Sequence, residues 1–293
     1  MIFLLLIINQ DIDFEDLFSK ATTSLVQFAA VKDTAFERII EIGQDSLLGD
    51  TVIDFLVSKF DTKSARERHG LKDMLTKIGN SAIAGIVKKL DYRGSDRASR
   101  SLSQSLWVLG EIGDEKIIEH VAYFIDDEQW HIRSGAYTAL GKTKSIKARP
   151  YILQGLYDSV AIVRKSAYYA LSSIATENEI AHLIDGLDDE FYGVRYAAVK
   201  GLLHVGSAAR EPLMKTVTHS TENDYFVVKT LLQLSDSAVV QEQIIQYVRE
   251  KPAPIRFVVY EECNDKNLLR LFSESENNLL LKNYINRKIF NSN

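Results

Sequence analysis

The side chains able to do chemistry in this chain are few and dispersed. Among its 293 residues are six histidines and one cysteine, Cys263. Cys263 closes the run FVVYEEC, whose carboxylates would oppose rather than stabilise a thiolate, so a buried apolar thiol fits it better than a nucleophile. A single cysteine forms no internal disulfide and supplies no multi-thiolate metal site, which is compatible with a reducing compartment. The sequence contains no G-x-x-x-x-G-K-[ST] phosphate loop, no G-x-G-x-x-G after a strand, and no H-E-x-x-H, G-x-S-x-G or C-x-x-C. The expectation is a protein with no catalytic residue, no metal and no cofactor.

What the chain has in place of a reactive cluster is recurrence. Residues 127–140 (DEQWHIRSGAYTAL), 158–171 (DSVAIVRKSAYYAL) and 189–202 (DEFYGVRYAAVKGL) align without gaps at an interval of 31. The aligned columns hold Asp127, Asp158 and Asp189; Ile132, Val163 and Val194; Arg133, Arg164 and Arg195; Ala136, Ala167 and Ala198; and Leu140, Leu171 and Leu202. Within a unit, Ile132, Ala136, Ala139 and Leu140 fall on one helical face. A second amphipathic run follows each unit, as in Ile180, Leu183, Ile184 and Leu187, so each unit reads as a helix pair. Looser copies carry the pattern outward, with Ile39, Leu75 and Leu109 as upstream markers and residues 225–234, 244–248, 255–272 and 279–290 downstream.

Composition agrees. The chain is 46% hydrophobic and 26% charged, which excludes a disordered chain, and four Pro with fifteen Gly leave little turn punctuation for an all-β fold. The predicted architecture is all-α: a right-handed α-solenoid of about seven to eight helix pairs. Residues 1–293 form a single array, with N-terminal cap helices at 1–38, irregular longer repeats at 39–104, regular 31-residue repeats at 105–217, and degenerate repeats with a C-terminal cap at 218–293.

The pattern Asp158-(x5)-Arg164-x-x-Ala167-x-x-Ala170-Leu171 resembles the HEAT repeat, in the short bacterial form also found in phycobilisome lyase subunits. Pro150 before the second-helix run and Trp130 just before Ile132 and Arg133 match the same family. The resemblance implies that the Asp and Arg columns build a ladder between repeats, so that these residues are scaffold. It also implies a role in protein interaction. One HEAT-like enzyme family, the deoxyhypusine hydroxylases, holds two irons through His-Glu dipeptides, and this sequence contains none.

Two surfaces are candidates for binding. Aligning the second helices places His120, Tyr151 and His182 in one column and Tyr123, Gln154 and Asp185 in another, the latter continued by Lys215 and Gln246. In solenoids of this kind the second helices line the concave side, so these residues predict a polar-aromatic strip for a protein or peptide partner, with binding centred on Tyr123, Tyr151, His182 and Asp185. His120 and His182, two units apart at about 10 Å per unit, cannot share one metal. The first helices, presenting Lys165, Tyr168 and Lys200, read as a face suited to curvature and solvent. The second candidate is electrostatic: residues 59–104 carry eleven bases against five acids, beside an acidic segment at 1–58. Arg66, Arg68, Lys88, Lys89 and Arg93 are therefore the alternative contacts, for nucleic acid or another polyanion, although the net charge of −5 weighs against a dedicated nucleic-acid binder. A further alternative is an accessory subunit of a lyase-type enzyme.

The apolar run at residues 2–8 is too short to span a bilayer. It reads either as part of a signal sequence, implying export, or as a cap helix, implying a cytoplasmic protein. No other stretch is long enough for a membrane helix, and a monomer is expected.

Overall fold

The computed structural model describes residues 12–95, 98–216, 221–234 and 238–291. The apolar run at 2–8 and the basic residue Arg97 lie outside them. The chain divides into two compact units, Met1–Tyr151 and Ile152–Asn293.

Among the described residues every regular element is helical. The first unit holds α1 (Phe14–Ala21), α2 (Ala29–Gly43), α3 (Gly49–Ser58), α4 (Ala65–Ile78), α5 (Asn80–Val87), α6 (Arg100–Ile112), α7 (Ile118–Ala122) and α8 (Trp130–Lys142). Helix α9 (Arg149–Gln154) spans the division. The second unit continues with α10 (Ala161–Ser172), α11 (Ile180–Gly186), α12 (Tyr192–Val205), α13 (Arg210–Met214), α14 (Thr221–Gln233), α15 (Ala238–Arg249), α16 (Ala253–Glu262), α17 (Lys266–Ser275) and α18 (Leu279–Asn291). From α2 to α13 a long helix alternates with a shorter one, which is the helix-pair pattern that the recurrence predicted.

The repeated apolar columns are the core. Ile132, Ala136 and Leu140 in the first unit are fully buried, as are Val163, Ala167, Leu171, Val194, Ala198 and Leu202 in the second. Burying a Leu or Val side chain contributes about 1.5–3 kcal/mol relative to leaving it in water, so each long helix is held mainly by these contacts. The first expected boundary shifts. Helix α2 begins at Ala29, well before residue 39, because its early turns are polar and exposed while Ile39, Ile40 and Ile42 bury only its last turns.

The Asp and Arg columns shape the entry to each long helix. Asp127, Asp158 and Asp189 each accept, through Oδ1, the backbone N–H two residues on, at 2.9, 2.8 and 2.7 Å. That turn holds Gln129, Val160 and Phe191 in extended backbone at the helix N-caps, which carry no side-chain cap of their own. The arginine six residues after each Asp then reaches back to the same residue's carbonyl: Arg133 to Asp127 at 2.7 Å, Arg164 to Asp158 at 2.9 Å and Arg195 to Asp189 at 2.8 Å. The loop is thus fastened at both ends within seven residues, and its otherwise orphaned backbone groups are satisfied.

In the second unit Arg164 also links successive repeats. Its guanidinium forks onto the Asp189 carboxylate, Nε to Oδ2 at 2.7 Å and Nη2 to Oδ1 at 3.0 Å, with both side chains only 13% exposed. This is the ladder that the family resemblance implied. The guanidinium of Arg195 also lies over the Phe226 ring, 5.1 Å from the centroid.

Candidate partner-binding surface

The short helices carry the strip expected from the sequence, and the structure divides it between the two units. In the first, His120 is exposed on α7 and Tyr123 follows the helix at 79% exposure, its ring edge-on to Phe124. Tyr151 donates its hydroxyl to the Glu119 carboxylate at 2.7 Å, and that bond holds its phenol above the ordinary tyrosine value. In the second unit Gln154 and Asp185 are exposed, His182 Nδ1 lies 3.3 Å from the Tyr157 hydroxyl, and Lys215 pairs with Glu211 one turn earlier at 2.5 Å. Helices α7, α9, α11 and α13 are five to seven residues long. They therefore present these groups as separate local pairs within each unit.

The basic segment separates into structural and free members. Arg68 donates to the Thr62 carbonyl six residues back at 2.9 Å, and Thr62 stands where other repeats have Asp, so Arg68 is an unrecognised member of the arginine column. Arg93 bonds the Asp127 carboxylate and Ser99 Oγ, and so joins the ladder from a loop. Arg66, Lys88 and Lys89 remain exposed.

The long helices carry a surface that the sequence reading passed over. In the first unit the Lys77 ammonium lies 5.0 Å from the Phe36 ring centre, and Trp107 on α6 is approached by Lys72 of α4 at 4.4 Å and Lys142 of α8 at 5.8 Å. In the second unit Lys200 of α12 lies 5.2 Å from the Tyr169 ring of α10 and 5.6 Å from Tyr196, which stacks on Tyr192 at 6.4 Å. Further on, Lys229 donates to the Tyr225 hydroxyl at 2.8 Å, and both are tied to the Glu262 carboxylate. The contacts at Phe36, Trp107, Tyr169 and Tyr196 are cation–π contacts, with Trp107 and Tyr196 exposed and Phe36 and Tyr169 half-buried, and they recur on successive long helices within each unit. Tyr168 does not belong with them: it is buried, its hydroxyl donates to the His182 carbonyl at 3.2 Å, and its ring fills the space beside Gly186, where any side chain would collide with it. The expectation that placed Tyr168 beside Lys165 and Lys200 on a solvent face misassigned it, because a residue one position along a helix turns by about 100°.

No group of three or more His, Cys, Asp or Glu side chains among the described residues is placed to hold a metal ion. Cys263 is buried, and burial pushes its thiol above the ordinary value. Among the described residues no helix is long and apolar enough to cross a membrane.

Helix pairs stacked through buried columns, fastened by Asp–Arg turns and bearing their free aromatics outward, define an α-solenoid architecture. Residues 83–172 match the family model for HEAT repeats. Among solved structures, the chain is similar to Kap121p bound to Nup53p, with 13% identity and a TM-score of 0.54 over 89% of this chain and 33% of that one. It is also similar to Kap95p in a structure with RanGDP, with 12% identity and a TM-score of 0.53 over 93% of this chain and 41% of that one. The complex of CpcE and CpcF of phycocyanin lyase from Nostoc sp. PCC7120 shows 18% identity and a TM-score of 0.40, covering 80% and 94% of the two chains. At these identities the likeness is one of fold. The comparison with curated proteins gives no match.

Proposed function

We propose that this chain is a non-catalytic scaffold that binds a protein or peptide partner along the exposed face of its long helices. The observation that carries the reading is the recurrence of aromatic–lysine contacts on the long helices, at Phe36 and Trp107 in one unit and Tyr169 and Tyr196 in the other, of which Trp107 and Tyr196 are exposed. Aromatic rings offer large contact area for few frozen torsions, and lysines flanking them supply direction, a combination found where interfaces concentrate their energy. The short-helix strip supports the reading less well, since its pairs, Tyr151 with Glu119, His182 with Tyr157 and Lys215 with Glu211, do not repeat one contact from helix to helix.

The test is a binding map. Hydrogen exchange of the chain with a captured protein partner should show protection on α6, α8, α10 and α12, and Tyr169→Ala combined with Tyr196→Ala should weaken binding by about tenfold or more at unchanged helicity. Protection confined to α7, α9 and α11 would move the site back to the strip of His120, Tyr123, Tyr151, Gln154, His182 and Asp185. Retention on nucleic acid that falls with salt and is lost on reversing Arg66, Lys88 and Lys89 would replace the reading with polyanion binding.

A further inference from the structure

Within the first unit, the packing of α6 against α8 leaves a groove of about 210 Å³ whose lining includes Ser103, Leu106, Trp107, Gly110, Ser134 and Gly135. Its floor is apolar and small. Gly110 lets the two helices approach closely, since a Cβ there would come within 2.9 Å of the Ala139 Cα. Gly135 differs: a Cβ would meet only a Leu106 methyl at 3.8 Å, so its missing side chain leaves open space above the floor. At one end His131 Nε2 is tied to the Ala98 carbonyl at 2.9 Å. At the other stands Trp107, 39% exposed, with lysines reaching it from the helices on either side.

Of the polar groups lining this groove, Thr138 donates to the Ser134 carbonyl and His131 is tied to Ala98, while Lys72 approaches Trp107 from α4, beside the lining. Lys142 is neutralised by Glu111, but the half-buried Lys72 makes no ion pair within 4.0 Å among the described residues. Neither the Trp107 indole N–H nor the Ser103 hydroxyl has a hydrogen-bond acceptor among the described residues. Burial first, and then the charge of Arg68, press the Lys72 ammonium below the ordinary lysine value, against the opposing pull of Asp73 and Glu111. Lys72, 4.4 Å from the Trp107 ring and without an ion pair of its own, thus stands at the rim of the apolar groove.

We infer that the Trp107 groove binds an extended acidic peptide segment, seating one apolar or aromatic side chain over Gly135 while an adjacent Asp or Glu carboxylate takes Lys72 and the indole N–H. This rests on the partner-binding reading above and narrows it to one partner chemistry and one place. Charge complementarity selects the occupant: a basic segment would meet Lys72 and Lys142, and an uncharged one would leave the ammonium of Lys72 covered and unpaired.

The experiment uses the full chain carrying Trp130→Phe, which leaves Trp107 as its one tryptophan. The probes are the peptide acetyl-Gly-Glu-Phe-Glu-Leu-Glu-Gly-amide and its analogue with lysine for each glutamate. The acidic peptide should change Trp107 fluorescence saturably, with an affinity that falls as salt rises. Lys72→Gln should weaken it by about tenfold, and Gly135→Leu should abolish it by filling the slot. Gly135→Leu is expected to fold, because that position is helical and open, and circular dichroism with a melting curve checks this. An equal response to the lysine peptide, no response to either peptide, or a response untouched by both variants in folded protein overturns the inference. A captured protein partner whose protection maps elsewhere on the long helices would overturn it too while leaving the broader reading intact, whereas protection absent from every long helix overturns both.

Discussion

Two arginines in the second unit, Arg164 and Arg256, do the same job with different parts. Arg164 reaches six residues back to a carbonyl and forward to Asp189. Arg256 reaches five residues back, to the Lys251 carbonyl at 2.6 Å, and forward to Glu276, with Nε to Oε2 at 2.9 Å and Nη2 to Oε1 at 3.3 Å. Both acceptors also cap the chain two residues on: Asp189 binds the Phe191 N–H and Glu276 the Asn278 N–H, each at 2.7 Å. The longer glutamate arm turns further inward, to 3% exposure, and takes a third donor, the Tyr260 hydroxyl at 2.8 Å. The ladder is therefore defined by a guanidinium fastening one turn and seizing the acid of a later one, and the sequence interval between the two is free to vary.

The sharpest way to break that equivalence is to remove each arginine. Arg256→Ala strands a carboxylate almost wholly out of water and should cost about 3–5 kcal/mol, the usual penalty for breaking a buried pair. Arg164→Ala should cost less, about 2–4 kcal/mol, since Asp189 at 13% exposure can recruit water. Urea unfolding of the two variants measures both, and the reverse order would show that Tyr260 and Asn278 satisfy Glu276 unaided. Arg195→Leu keeps apolar packing against Phe226 and gives up, among its polar contacts, the bonds to the carbonyls of Asp189 and Glu190, which together contribute about 1–2 kcal/mol by the same measurement.

The smallest effect is one of pH. Burial alone would raise the Glu276 carboxyl, but the Asn278 N–H, Arg256 and Tyr260 together hold it below the ordinary glutamate value. A depressed folded value means that the unfolded chain binds the proton first. The contribution of Glu276 is thus complete above the unfolded value of about 4.3 and is lost as pH falls through the lower folded one. Glu276→Gln should flatten the acid limb of the stability profile while leaving its shape near neutrality unchanged.

How far these features were legible follows from where each is encoded. The columns of Asp, Arg, Ala and Leu at an interval of 31 were plain, because one backbone geometry recurring demands the same residue types at the same phase. Arg68 was hidden by Thr62 in the Asp position, where a hydroxyl in place of a carboxylate accepts the backbone N–H two residues on. Glu276 was hidden by its shorter interval from Arg256. The Trp107 groove had no signal within a repeat, since its lysines, at 72 and 142, each stand one helical turn beyond the regular interval from Trp107, and the three meet only when α4, α6 and α8 lie side by side. Tyr169 and Lys200 do share a column, and that regular spacing was the available clue to the long-helix face.

The closure of each Asp–Arg turn within seven residues has an engineering consequence. Because the fastening is local and the acceptor recurs at a constant phase, the segment 158–188 is a cassette that carries its own donor and its own start. Pasted in a second time immediately after itself, it would offer Arg164 the duplicated Asp158 in place of Asp189, and the new copy's arginine would inherit Asp189. A lineage could lengthen or shorten such a chain by unequal recombination at this junction without rewriting any neighbour, which accounts for three copies in perfect register beside others that have drifted.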